Sequence, residues 1–239
     1  MEKGSGFFRK VKNYFAAKKS FFTAKNVAYL GVLLALVVVL QIFGQYIRIG
    51  ATPLSLVLVP IALGAMLLGV WAGTFLGFAF GMVTLIQGLI SDPFTSFLFA
   101  NSPVMTVLIC LVKGTMAGLV PALLYKALRG KKSLVAVFLA AASAPIANTG
   151  IFIIGCFIIS GTLTGWMNYA VEQGWMVAVE TVPYYLLIGL AGINFIIEFA
   201  INLVLSPALH RVVVVVEKNL GKKNTKKKEK EEEIETEQL

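Results

Sequence analysis

The sequence predicts an all-α, polytopic membrane protein of six transmembrane helices with both termini cytoplasmic, and three observations predict it. First, the 239 residues are 58% hydrophobic and 14% charged, more apolar surface than a soluble domain of that length can bury. Second, the apolar residues fall into six runs, most of them near the ~20 residues that a bilayer's hydrocarbon requires. Third, the basic residues collect on alternate connections. Lys3, Arg9, Lys10, Lys12, Lys18, Lys19 and Lys25 precede the first run, Lys126, Arg129, Lys131 and Lys132 follow the fourth, and a lysine-rich tail closes the chain, against Arg48 alone on the opposite side. Six crossings put both ends on one face, and the excess of Lys and Arg makes that face cytoplasmic.

Residues 1–25 read as a basic, amphipathic cytoplasmic segment. Phe7, Phe8, Val11, Tyr14, Phe15, Phe21 and Phe22 recur at mostly helical spacing among lysines, a pattern suited to the inner leaflet or to a leader that sets orientation. The membrane domain spans 26–211. Its first run, about Asn26 to Tyr46, reads as a retained helix and not a cleaved signal, because further spans follow and no small-residue cleavage pattern precedes Arg48. Gly31 and Ala35 stand four apart on it, a small-xxx-small face that lets another helix approach closely. The connection Arg48 to Pro53 is turn-rich.

The second run, about Leu54 to Val70, is short and carries Pro60 and Gly64, which predict a kink. The third, about Ala72 to Ile90, places Gly73, Gly77 and Gly81 on one stripe for tight packing. Ser91 to Pro103 reads as a partly buried loop. The fourth run is about Val104 to Leu128; the fifth, about Leu134 to Ser160, is interrupted by Pro145. Gly161 to Glu180 reads as a polar outer connection with headgroup tryptophans. The sixth run, about Pro183 to Leu209, ends at Arg211, and 212–239 is too charged to form a core and reads as a disordered cytoplasmic tail.

Polar residues inside these runs carry the functional content. Glu198 lies in LLIGLAGINFIIEFAIN, where Asn194, Glu198 and Asn202 recur every four residues and so share one helix face. Such a line costs several kcal/mol in lipid and must turn inward. Lys113 is the other charge deep in an apolar run, and Asn148 lies mid-run in the fifth. Counting ~1.5 Å per residue puts Lys113, Asn148, Asn194 and Glu198 at a common depth on three segments. That arrangement suits a binding site for a polar molecule; it equally suits a structural Lys113–Glu198 pair with amides tying helices together.

Other chemistries are excluded. The chain has no GxxxxGK[ST], HExxH or GxSxG; its one histidine, His210, is at a helix end, and Asp92 is its one aspartate. No catalytic residue, metal site or cofactor is expected, and the chain is not an enzyme. Cys110 and Cys156 sit in apolar runs as packing residues. The net charge of +9 flanks apolar spans, where anionic lipid and not nucleic acid is the partner.

The six-run layout with a short second run, LVPIALGAMLLGVWAGTFLGFAFG at Leu58 to Gly81, PIANTGIFIIG at Pro145 to Gly155 and GLAGINFIIEFAINLVLSP at Gly189 to Pro207 resemble the substrate-binding S components of energy-coupling factor (ECF) vitamin transporters over about residues 24–212. The resemblance implies a multi-pass protein of a bacterial cell membrane. It would capture a water-soluble vitamin from outside and deliver it by docking on a membrane scaffold subunit with two ATPase subunits. It implies docking through Gly31 and Ala35, glycine standing where the family's usual first residue is alanine. It implies a substrate site in the outer half, at Arg48, Asn101, Lys113, Asn148, Asn194 and Glu198. Lys113 and Arg48 suit a carboxylate or phosphate and the amides a hydroxyl, which favours pantothenate, then riboflavin. Two other readings remain open at this point: a self-sufficient proton-coupled secondary transporter using Glu198, and a non-transporting membrane scaffold.

Overall fold

The computed structural model describes residues 23–44, 46, 48–49, 52–53, 56–128, 133–176 and 181–237. The expected amphipathic segment before residue 23 and the basic loop at 129–132 lie outside the described residues. Helix α1 (Ala24–Gly44) is followed by two short strands, β1 (Arg48–Ile49) and β2 (Thr52–Pro53), paired antiparallel with Arg48 opposite Pro53. Helix α2 (Leu58–Leu68) is apolar but only 11 residues long, and Gly69, at φ 87°, turns the chain directly into α3 (Val70–Ser91). Then come α4 (Pro93–Asn101), α5 (Pro103–Leu128), α6 (Ser133–Ile158) and α7 (Ser160–Glu172). The chain ends in a single turn, α8 (Val182–Tyr184), a π-helical turn at Tyr185–Leu190, and α9 (Gly192–Glu237).

Among the described residues, five helical segments are long and apolar enough to cross a membrane: α1, α3, α5, α6 and Val182–Val216. Val213, beyond the expected end of the last span near Arg211, is fully buried.

Three sequence expectations change. The stretch 91–103 is not a loop, because Asp92 caps a helix there. Its Oδ2 accepts from the Thr95 backbone N–H at 3.1 Å and the Thr95 hydroxyl at 2.7 Å, and Pro93 takes the first helical turn, where its missing N–H costs nothing. Part of 161–180 is α7, whose buried Leu163, Trp166, Met167 and Ala170 fall at i, i+3, i+4 and i+7. Pro145 does not break α6, and Pro121 does not break α5. Both prolines are buried against neighbouring helices, a setting in which a membrane helix tolerates the lost N–H.

The bundle is built on the α3–α5 seam, where no side chain intervenes. A Cβ on Gly73 would lie 2.6 Å from the Gly118 carbonyl oxygen and one on Gly81 2.6 Å from that of Cys110, while Gly77 and Gly114 face each other's carbonyls. The expected glycine stripe thus has a matching one on its neighbour, running antiparallel, and the backbones touch. Two apolar clusters sit on this seam. One gathers Val37, Ile61, Phe80, Val137 and Val213. The other gathers Phe94, Leu98, Leu163, Trp166 and Leu186 at the end where α3 finishes and α5 begins.

Candidate functional site

Between the two clusters lies a cavity of about 110 Å³, measured as room for the centres of water-sized spheres. Helix α5 contributes Thr106, Cys110 and Lys113, α6 Asn148, Thr149 and Phe152, and α9 Asn194 and Glu198. Each is placed by one turn of its helix. Lys113 follows Cys110 by three residues, Phe152 follows Asn148 by four, and Glu198 follows Asn194 by four, so each group stays on the face turned to the chamber. Four of the residues singled out from the sequence, Lys113, Asn148, Asn194 and Glu198, are therefore brought together around one void.

Asn101 is not among them. It is exposed and outside the lining, with its Nδ2 amide donating to the Phe97 carbonyl at 2.9 Å. Arg48 lies on the hairpin; its side chain is outside the described residues.

The lining also holds residues that sequence reasoning missed. Gln41 of α1 is buried, 5% exposed, and reaches the chamber from the first helix, while Thr84, Thr95 and Thr106 add hydroxyls. A lone glutamine in VVVLQIFG was the one available signal. Asp92, from the stretch expected to be a partly buried loop, lines the cavity as well.

Charge and hydrogen-bonding capacity in the chamber are uneven. The Lys113 ammonium lies 5.1 Å from the centre of the Phe152 ring, a cation–π contact that holds it over the cavity wall. Glu198 is 2% exposed, and its backbone carbonyl accepts from Asn202 Nδ2 at 2.9 Å. The Asn148 Oδ1 and Thr84 Oγ1 atoms are buried with no hydrogen-bond partner among the described residues. Leaving such an acceptor unmet costs about 1–3 kcal/mol, which a donor brought in by a ligand or water would recover.

The chamber is roofed by rings. Phe94 meets Trp166 edge-on at 5.4 Å between ring centres, and Phe97 stacks on Tyr169 at 5.5 Å. Trp166 Nε1–H donates to the Tyr185 hydroxyl at 2.8 Å, tying α7 to the last span. Asp92 joins the roof to the floor, since it both caps α4 and lines the cavity. Asp92→Ala is expected to cost about 1 kcal/mol through the lost cap, readable as a lower melting temperature of the purified protein.

The geometry can hold a small polar solute. It offers one cation, two carboxylates and several amide and hydroxyl groups in a largely buried setting, where each contact counts for more. Comparison with known proteins points the same way. A family model described as "ECF transporter, substrate-specific component" matches residues 25–210. The pantothenic acid transporter PanT of Lactococcus lactis subsp. cremoris (strain MG1363) is 28% identical over 155 residues, an alignment covering 59% of this chain and 76% of that protein.

Proposed function

The chain belongs to the family of ECF transporter substrate-specific components, which are transporter subunits and not enzymes, and from that premise we propose that it captures pantothenate for import. The carrying observation is the convergence of Lys113, Asn148, Asn194 and Glu198 on one cavity. Pantothenate carries one carboxylate, one secondary amide and two hydroxyls. The Lys113 ammonium matches the carboxylate. Glu198 and the unmet Asn148 oxygen match hydroxyl or amide donors, and Asn194 can pair with the ligand amide. The name of the PanT relative favours pantothenate over riboflavin. The rings above the chamber are already packed on one another, which also argues against a stacked flavin.

In this reading the protein has six crossings, α2 with the preceding residues making the second. Both termini are cytoplasmic and the chamber opens outward in a bacterial cell membrane. Arg48 and Asn101, toward the same end of the bundle, would meet the anion on its way in. Uptake needs a scaffold subunit and two ATPase subunits, because the chain has no phosphate-binding loop of its own. The docking face is Gly31 and Ala35. Both are exposed, and a Cβ on Gly31 would meet nothing within 4 Å, so this flank of α1 is open to another helix.

Thermal unfolding of the purified chain with a panel of vitamins tests the assignment. Pantothenate at 100 times its dissociation constant is expected to stabilise the protein by about 2.7 kcal/mol, and riboflavin to do nothing. A response to another vitamin alone would reassign the substrate. Uptake into vesicles by this chain alone, driven by a proton gradient, would overturn the ECF reading. Ala35→Trp is expected to leave pantothenate affinity unchanged and to abolish ATP-dependent uptake by the reconstituted assembly, as bulk on that face holds the scaffold off.

A further inference from the structure

We propose that the π turn at Tyr185–Leu190 is a positioning element for the chamber: by absorbing one extra residue it keeps the aromatic roof and the Asn194–Glu198 line on one face of a single span. Only the binding readout below rests on the pantothenate reading.

Inward-facing positions recur every four residues from Leu186 through Leu190 and the cavity-lining Asn194 to Glu198, and on to Asn202 and Ser206, with Tyr185 and Ala191 also buried at the turn. Leu186 and Ser206 are 0% exposed, Asn202 1%, and Leu190 and Glu198 2%. A regular α-helix would lose the alignment between the two ends of the chamber. Each four-residue step overshoots a full turn by about 40°, so the three steps from Leu186 to Glu198 would accumulate about 120° and turn the roof end away from the carboxylate. One residue taken up by a widened turn removes about 100° of that drift. The remainder, about 20°, leaves Leu186 and Glu198 on one face.

The widening is local and has visible supports. The Ala191 N–H donates to the Leu186 carbonyl, five residues back, at 2.9 Å, whereas Phe195 N–H already reaches only four back, to Ala191, at 2.8 Å. Gly192 permits the wide turn, since a Cβ there would run into the Leu187 carbonyl. At the other end Tyr185 is anchored by the Trp166 indole. Leu190 and Ala191 themselves line the chamber, so the turn lies directly beside the residues it aligns.

Four full-length variants in lipid nanodiscs test this, with radiolabelled pantothenate as the probe. Inserting one alanine after Ile188 overloads the turn, and Gly192→Ala blocks it; each is expected to lower affinity by about tenfold or more while thermal unfolding stays cooperative. Deleting the exposed Ile188 lets the segment close as plain α-helix with both flanks in register, so affinity is expected within about threefold of wild type. Gly192→Ala combined with that deletion is expected to rescue binding, since a regular turn tolerates a Cβ. The ligand-free readout is Trp166 emission in a Trp71→Phe, Trp175→Phe background. Its expected red shift in the two register-breaking variants, as Tyr185 leaves the indole, should vanish in the rescued one. A deletion that loses binding as badly as the insertion, or a Gly192→Ala variant with unchanged affinity and emission, overturns the proposal. Wild-type protein that ignores pantothenate would sink the vitamin assignment, and the emission series would still decide the register.

Discussion

Replacing Lys113 by methionine is expected to weaken pantothenate binding by about 30- to 1,000-fold, corresponding to about 2–4 kcal/mol, in a protein that still folds. The ammonium is the one cation among the described lining residues. Removing it strands the ligand carboxylate in a poorly hydrated site. Methionine keeps the apolar stem and makes its own favourable contact with the Phe152 ring, so packing should survive. Equilibrium binding and thermal unfolding on the same preparation separate the two roles. Lost binding with an unchanged melt assigns Lys113 to the ligand; lost folding with no ligand response would instead mark it as half of a structural pair with Glu198.

Gly118→Leu is expected to yield no monodisperse protein at all, the largest stability effect in the chain. Overpacking an ordinary core costs about 1–3 kcal/mol because side chains can shift. At Gly118 the obstacle is the Gly73 carbonyl and backbone, so relief requires α3 and α5 to separate along their whole contact. Gly150→Leu supplies the control, because a Cβ there meets nothing within 4 Å. Size-exclusion profiles and melting curves of the pair should differ sharply; similar behaviour would mean that the seam does not govern the fold.

Much of this was legible in the sequence, for a reason of physics. On an apolar background a lysine, a glutamate or an asparagine cannot face lipid, so Lys113, Asn148, Asn194 and Glu198 announce an interior by being there. The Gly73–Gly77–Gly81 stripe is legible on the same logic, because only close approach rewards it. Thr84, Thr95 and Thr106 were not, since a threonine can satisfy its hydroxyl on its own helix, as Thr106 does on the Ser102 carbonyl at 2.8 Å, and so signals nothing. Helices α4 and α7 hid behind proline, phenylalanine and tryptophan, residues that punctuate loops as often as they line an amphipathic face. Asn101 followed from family likeness and lies outside the chamber lining. The π turn left no mark: YLLIGLAG reads as any apolar helix.

The apolar cluster on the far side of the chamber has an electrical consequence. Val37, Ile61, Phe80 and Val137 are each 0% exposed, and Ser206 donates to the Leu203 carbonyl at 2.7 Å. A layer packed this closely offers a file of water no polar path, so ions are expected to find no conductive route through it. In the proposed capture role, the protein would then stand loaded or empty without short-circuiting the membrane potential, and many copies could wait for a rare nutrient at no cost in leak.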